Sequence, residues 1–175
     1  MQLPIGTARW YADTSLHESA LASGTIHPHF PMSHEEHFRK LERMYVRAPG
    51  NDFYAPRLSI AHGAAELVIP IDRRFYHSGG GAHGSVYFKA LDDAAFFAVN
   101  SLVEDVFVLT VTFTTYLTGP ISDGAMHARG HVVHAARSFF VAESVVCDSD
   151  GKEIGRGSGT FTRSRIQLTP EIGYY

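Results

Sequence analysis

Asp92 and Asp93 are adjacent carboxylates within Val86-Tyr-Phe-Lys-Ala-Leu-Asp-Asp-Ala-Ala-Phe-Phe-Ala-Val-Asn-Ser-Leu102, a stretch that is otherwise almost wholly apolar. An unpaired carboxylate is costly to bury. Two of them in such surroundings have either structural hydrogen bonds to neighbouring backbone or a chemical task. Desolvation raises a carboxylate's pKa and makes it a better general base near neutral pH. Just upstream runs His77-Ser-Gly79-Gly80-Gly81-Ala-His83-Gly84-Ser85. A glycine-rich loop that opens a helix offers free backbone N–H groups and the positive end of the helix dipole. The glycines do not follow dinucleotide-binding spacing, and the chain has neither a nucleophile-elbow Gly-x-Ser-x-Gly nor a Walker loop.

The elements that must hold these groups follow from periodicity. Residues 86–102 read as a helix of about 25 Å at 1.5 Å per residue. It is apolar nearly all round, so something must wrap it. A helix is expected from Ser33, where Glu36 completes a capping box and Phe38, Leu41, Met44 and Tyr45 form one stripe. Alternation over residues 57–71, interrupted by His62-Gly63-Ala64, predicts two strands or one bent strand. Strands are expected over 106–117, 125–135, 138–147 and 154–163, with turn signals at Gly119-Pro120, Asp123-Gly124 and Asp150-Gly151. Gly155, Gly157 and Gly159 leave one face of the last strand bare, which fits strong twist or a closely packed backbone. Cys147 is expected in the core. The order reads as α+β with an antiparallel sheet around one long helix. Residues 1–32 read as an extension with a short helix near 16–22 and with Trp10 and Tyr11 packing it, residues 33–165 as the domain, and 166–175 as a tail.

Composition bounds the partners. A chain of 175 residues with 45% apolar and 19% charged content suits one packed domain. A net charge of −3 makes no electrostatic case for nucleic acid or an anionic membrane. Cys147 is the only cysteine, which fits a reducing compartment. No run approaches a membrane span and the start lacks signal-peptide features, so a cytoplasmic protein is expected. Of 11 histidines, His27, His29, His34 and His37 cluster. His34 and His37 share a helix face and leave a metal reading open beside that of solvated surface histidines; spacing fixes no third ligand.

The loop and helix resemble the hotdog-fold acyl-CoA thioesterases of the phenylacetate-pathway (PaaI-like) type. That family's pattern is an asparagine, a glycine or two, His-Gly-Gly, and an aspartate nine residues after the histidine. Here His83 and Asp92 stand nine apart, with His77 in the asparagine's place and Ser85 in that of the second glycine. His134-Ala-Ala-Arg137-Ser-Phe-Phe, Asp148-Ser-Asp-Gly151-Lys and Gly155-Arg-Gly-Ser-Gly-Thr-Phe161 also resemble the family's last three strands. The likeness covers about residues 57–163.

The resemblance implies a hotdog fold and hydrolysis of an acyl-CoA to a free acid and CoA, with no cofactor or metal. It implies Asp92 as general base or nucleophile, and the N–H of Gly84 as oxyanion donor. His83 would shape the turn, His77 would add a donor, and a hydroxyl such as Thr110, with Thr112 the other candidate, would orient water. It also implies a homodimer, or a dimer of dimers, whose sites take the aspartate and the glycine loop from different subunits. Arg137, Arg163 and Arg165 are candidates for the CoA phosphates, beside their reading as solvated surface arginines. Two rivals stand: a non-catalytic acyl-CoA-binding module, motivated by His77 and Ser85, and a hydratase, against which position 97 is Phe where those relatives place a histidine.

Overall fold

The computed structural model describes residues 33–175. The expected arm, its helix near 16–22, Trp10, Tyr11, His27 and His29 lie outside the described residues.

Helix α1, His34–Val46, starts where the Ser33 hydroxyl accepts the Glu36 N–H at 3.2 Å, and buries Phe38, Leu41, Met44 and Tyr45. A single turn, α2, Asn51–Tyr54, leads into β1, Arg57–Ala61, and β2, Ala64–Pro70. These two pair antiparallel, and Gly63, at φ +68°, makes the turn between them. The interruption is therefore a tight hairpin between two strands rather than a bend in one. Helix α3 spans Gly84–Asn100, and β3 (Val106–Leu117), β4 (Ala125–Ala135), β5 (Phe139–Cys147) and β6 (Glu153–Gln167) follow.

All strand pairs are antiparallel, in the order β1-β2-β4-β5-β6-β3. The sheet wraps α3, whose Ala90, Leu91, Ala94, Ala98 and Val99 have no exposed surface. A Cβ on Gly130 of β4 would collide with the Ala94 carbonyl, so the helix rests on the sheet at a glycine. Gly157 and Gly159 make room for the Phe113 ring, which covers the face that the sequence leaves bare. This is the hotdog architecture, and its class is α+β.

Four expectations are corrected. Helix α3 begins and ends two residues earlier than the apolar run suggests. Its start is set by the His83 ring, whose Nδ1 accepts the Ser85 N–H at 3.1 Å, and the buried Asn100 side chain holds the turn beyond its end. Residues 166–175 are not a loose tail: β6 runs on to Gln167, and Tyr174 is 6% exposed. His37 is no surface histidine. It is fully buried, with Nδ1 2.7 Å from the Tyr174 hydroxyl and Nε2 2.9 Å from the Asn100 carbonyl, whereas exposed His34 meets Glu104 at 2.9 Å. The two share no ligand position, and no group of three potential metal ligands occurs among the described residues. Cys147 is half-buried, in a shallow hollow with His127 and Arg129, because its strand turns Val146 inward instead.

Candidate active site

The glycine loop is a folded object. The His77 N–H donates to the Gly81 carbonyl and the Gly80 N–H to the His77 carbonyl, both at 3.0 Å. Gly80 takes φ +84°, where a side chain would be strained. The His77 Nδ1 accepts the Gly79 N–H at 2.9 Å. The neutral ring therefore carries its proton on Nε2. His83 caps α3 and its ring also meets the Ser85 hydroxyl at 2.9 Å, so Ser85 completes the cap. Gly84 is then the first residue of the helix. Its N–H is one of the helix's orphan donors and has no acceptor among the described residues. Gly84, His77 and His83 line one hollow with Tyr87 and residues 117–120.

Asp92 lies two turns further on. Its only hydrogen-bond partner among the described residues is Thr110 of β3, whose hydroxyl donates at 3.1 Å to one carboxylate oxygen and lies 3.4 Å from the other. Burial is the main influence on the carboxyl and pushes its pKa up from 3.8 to about 6. The Thr110 hydrogen bond opposes the rise, the Asp93 charge adds to it, and Lys89 opposes it.

Asp93 is held quite differently. It accepts from the Tyr45 hydroxyl of α1 and pairs with Lys89 at 2.7 Å. These partners are side chains, not the neighbouring backbone. The Lys89–Asp93 pair is legible as i,i+4 spacing. Tyr45 is 48 residues away in sequence, and nothing local announces it.

The other expected residues scatter. Thr112 faces Thr160, hydroxyl to hydroxyl, at 2.8 Å. Arg163 is paired with Asp105. Arg137 is exposed on the turn between β4 and β5, and Arg165 is exposed near the end of β6.

One separation constrains the chemistry. Asp92 is eight residues beyond Gly84, about 12 Å along the axis at 1.5 Å per residue. An oxyanion donor must lie about 3 Å from the carbonyl oxygen, and a general base must reach the water that attacks the same carbonyl carbon. Next to Asp92, β3 is an edge strand paired only with β6 among the described residues, yet it exposes Leu109, Val111, Tyr116 and Leu117. A long apolar edge is a template for pairing with another chain.

A model of the thioesterase superfamily matches residues 79–154, from the glycine loop into β6. No curated protein matches the chain. Among solved structures, the E. coli PaaI protein from the phenylacetic acid degradation operon superposes with a TM-score of 0.70 at 17% identity, over 77% of this chain and 98% of that one. A thioesterase family protein from Silicibacter pomeroyi gives 0.67 at 26% identity, over 74% and 97%. Thioesterase HI1161 from Haemophilus influenzae gives 0.63 at 16%, over 69% and 85%. The neighbours share the hotdog fold, and the superfamily match over residues 79–154 supports a thioester hydrolase. Among the described residues no helix is long and apolar enough to cross a membrane.

Proposed function

We propose that the protein is an acyl-CoA thioesterase whose sites form between two copies of the chain. The observation that carries this is Asp92, a mostly buried carboxylate with Thr110 as its one hydrogen-bond partner among the described residues and a pKa raised to about 6. A carboxylate in that state is ionised at neutral pH and basic enough to take a proton from water. The water oxygen attacks the thioester carbonyl carbon as Asp92 removes its proton. The developing oxyanion is received by the Gly84 N–H of the second copy, at the positive end of its α3. His77 Nε2–H of that copy is the second donor, in place of an amide. Collapse of the intermediate breaks the C–S bond, and the proton held by Asp92 passes to the leaving thiolate. The products are the free acid and CoA. Thr110 aims the Asp92 carboxylate. Arg137, and Arg163 once released from Asp105, are the candidates to meet the CoA phosphates.

The two-copy arrangement accounts for the 12 Å separation and for the exposed apolar edge of β3. Antiparallel pairing of that edge with its own copy would continue the sheet and bring each glycine loop toward the other chain's Asp92.

The test is thiol release from a panel of acyl-CoAs by wild type and Asp92→Asn. An active wild type with an active Asp92→Asn rules out this mechanism. CoA binding without turnover across the panel would instead make the protein a binding module. A mixed dimer tests the shared site. Gly84→Pro removes the N–H at the first helical position, where proline is tolerated. Asp92→Asn and Gly84→Pro chains, each inactive alone, regain activity when combined, because one of the two sites then has both wild-type groups. Sites contained within one chain would stay dead.

A further inference from the structure

A second cavity, of about 590 Å³, shares no lining residue with the hollow at the glycine loop. That volume lies within the ~300–1,000 Å³ typical of small-molecule sites. Its walls come from five regions: Met44 and Tyr45 of α1, residues 47–49 after it, Phe97 of α3, Phe107 and Ile166 at the paired ends of β3 and β6, and residues 170–173 with Tyr175. Two observations tie it to Asp92. Phe96 is one turn below Asp92 on the same face of α3, and its ring packs on Phe107 and Phe97, each at 5.0 Å between centroids. Phe107 is also on the strand that carries Thr110, three residues before it. The Phe96 ring thus links the Asp92 face of α3 to the cavity wall at Phe97 and Phe107, while Tyr45 of the α1 wall is hydrogen-bonded to Asp93.

The outer wall is fixed in place. Tyr174 is buried on His37 through its hydroxyl. Arg43 donates to the Tyr175 backbone oxygen, and the Arg47 guanidinium stacks 4.8 Å from the Tyr175 ring. Gly173 turns at φ +92° against Met44, where a Cβ would sit 3.4 Å from the Met44 Cα. Ile172, held between these anchors, is 38% exposed and lines the cavity from outside. The lining is mostly apolar, and its two charged members, Arg47 and Glu171, are of opposite sign, so it suits an uncharged, apolar occupant.

Resting on the thioesterase reading, we propose that this cavity receives the acyl group of the substrate, and that residues 170–175 set the length of uncharged, apolar acyl chain it accepts. The thioester carbonyl sits at Asp92 and the hydrocarbon passes the Phe96 and Phe107 rings toward Ile172.

The experiment measures kcat/KM for straight-chain acyl-CoAs from butanoyl to dodecanoyl in wild type, Ile172→Trp and Ile172→Ala. The ratio of the decanoyl to the butanoyl value falls at least tenfold in Ile172→Trp, which fills the cavity. In Ile172→Ala, which opens it, the ratio of dodecanoyl to butanoyl rises severalfold. Opposite shifts in two variants at one half-exposed position do not arise from loss of folded enzyme, which lowers every substrate alike. An active wild type whose chain-length profile is unchanged in both variants overturns the acyl cavity and leaves the thioesterase reading standing. A wild type that hydrolyses no acyl-CoA overturns both.

Discussion

Asp92 and Asp93 are neighbours in sequence, of one residue type, on one helix, and the fold treats them in opposite ways. Each residue turns the helix by ~100°. That rotation aims Asp93 at α1, where Tyr45 and Lys89 satisfy it. It aims Asp92 at the edge strand β3, where the only donor among the described residues is Thr110. Asp93 thereby ties α1 to α3. Asp92 is left with unfilled acceptor capacity and a pKa pushed up to about 6, and it faces the side on which a second chain would pair. Asp93 has two side-chain donors and Asp92 has one, and burial raises the pKa of Asp92 with little to offset it.

Exchanging the carboxylates one at a time breaks the comparison most sharply. Asp92→Asn lowers kcat by ~10²–10⁴-fold, the range of a lost general base, with the circular dichroism spectrum unchanged. Asp93→Asn leaves Lys89 and Tyr45 with a neutral partner and lowers stability by about 1–3 kcal/mol. Urea unfolding reads that loss, and kcat measured on the folded protein falls far less than in Asp92→Asn.

Stability against pH carries the next difference. The folded pKa of Asp92 is raised from 3.8 to about 6, so the folded state holds its proton longer than the unfolded chain does. Stability from this group is full below pH 3.8 and is lost as pH rises through 6. At ~1.4 kcal/mol per pKa unit, ionised Asp92 costs at most about 3 kcal/mol. Asp92→Asn therefore stabilises the fold at pH 8 and much less at pH 4, a gap that unfolding at the two pH values measures. Activity runs the other way: kcat falls tenfold per pH unit below about 6, as the base is protonated.

The smallest effects sharpen the electrostatics. Lys89 lowers the Asp92 pKa and Asp93 raises it. Lys89→Met moves the acid limb of the pH–rate profile to higher pH, and Asp93→Asn moves it lower, each by a few tenths of a unit. Thr110→Val removes a hydrogen bond that favours the charged form, so its limb moves up and kcat drops roughly fivefold, the effect of a bond of about 1 kcal/mol.

Much of this arrangement is written locally. The strand limits at Val106–Leu117 and Ala125–Ala135 agree with the turn chemistry of Gly119-Pro120 and Asp123-Gly124. The α1 cap follows from Ser33 and Glu36, and the apolar run announces a wrapped helix. The nine-residue step from His83 to Asp92 is a matter of spacing along the chain alone. The misreadings of His37 and of residues 166–175 have one origin. His37 looks like a surface histidine until Tyr174, 137 residues later, folds onto it. Residues 166–175 read as a tail because their partners in α1 lie more than a hundred positions upstream.

The sequence by itself determined the helix, the strands that wrap it, and the presence of two carboxylates and a glycine loop along one segment, since periodicity and turn chemistry act over a few residues. Tertiary structure alone decided which carboxylate is satisfied, because Tyr45 and Thr110 arrive from other elements. The separation of Gly84 and Asp92 along one chain, about two helical turns, is by contrast a local matter. That distance follows from the rise of a helix that the flanking loop, capped by His83, starts at Gly84.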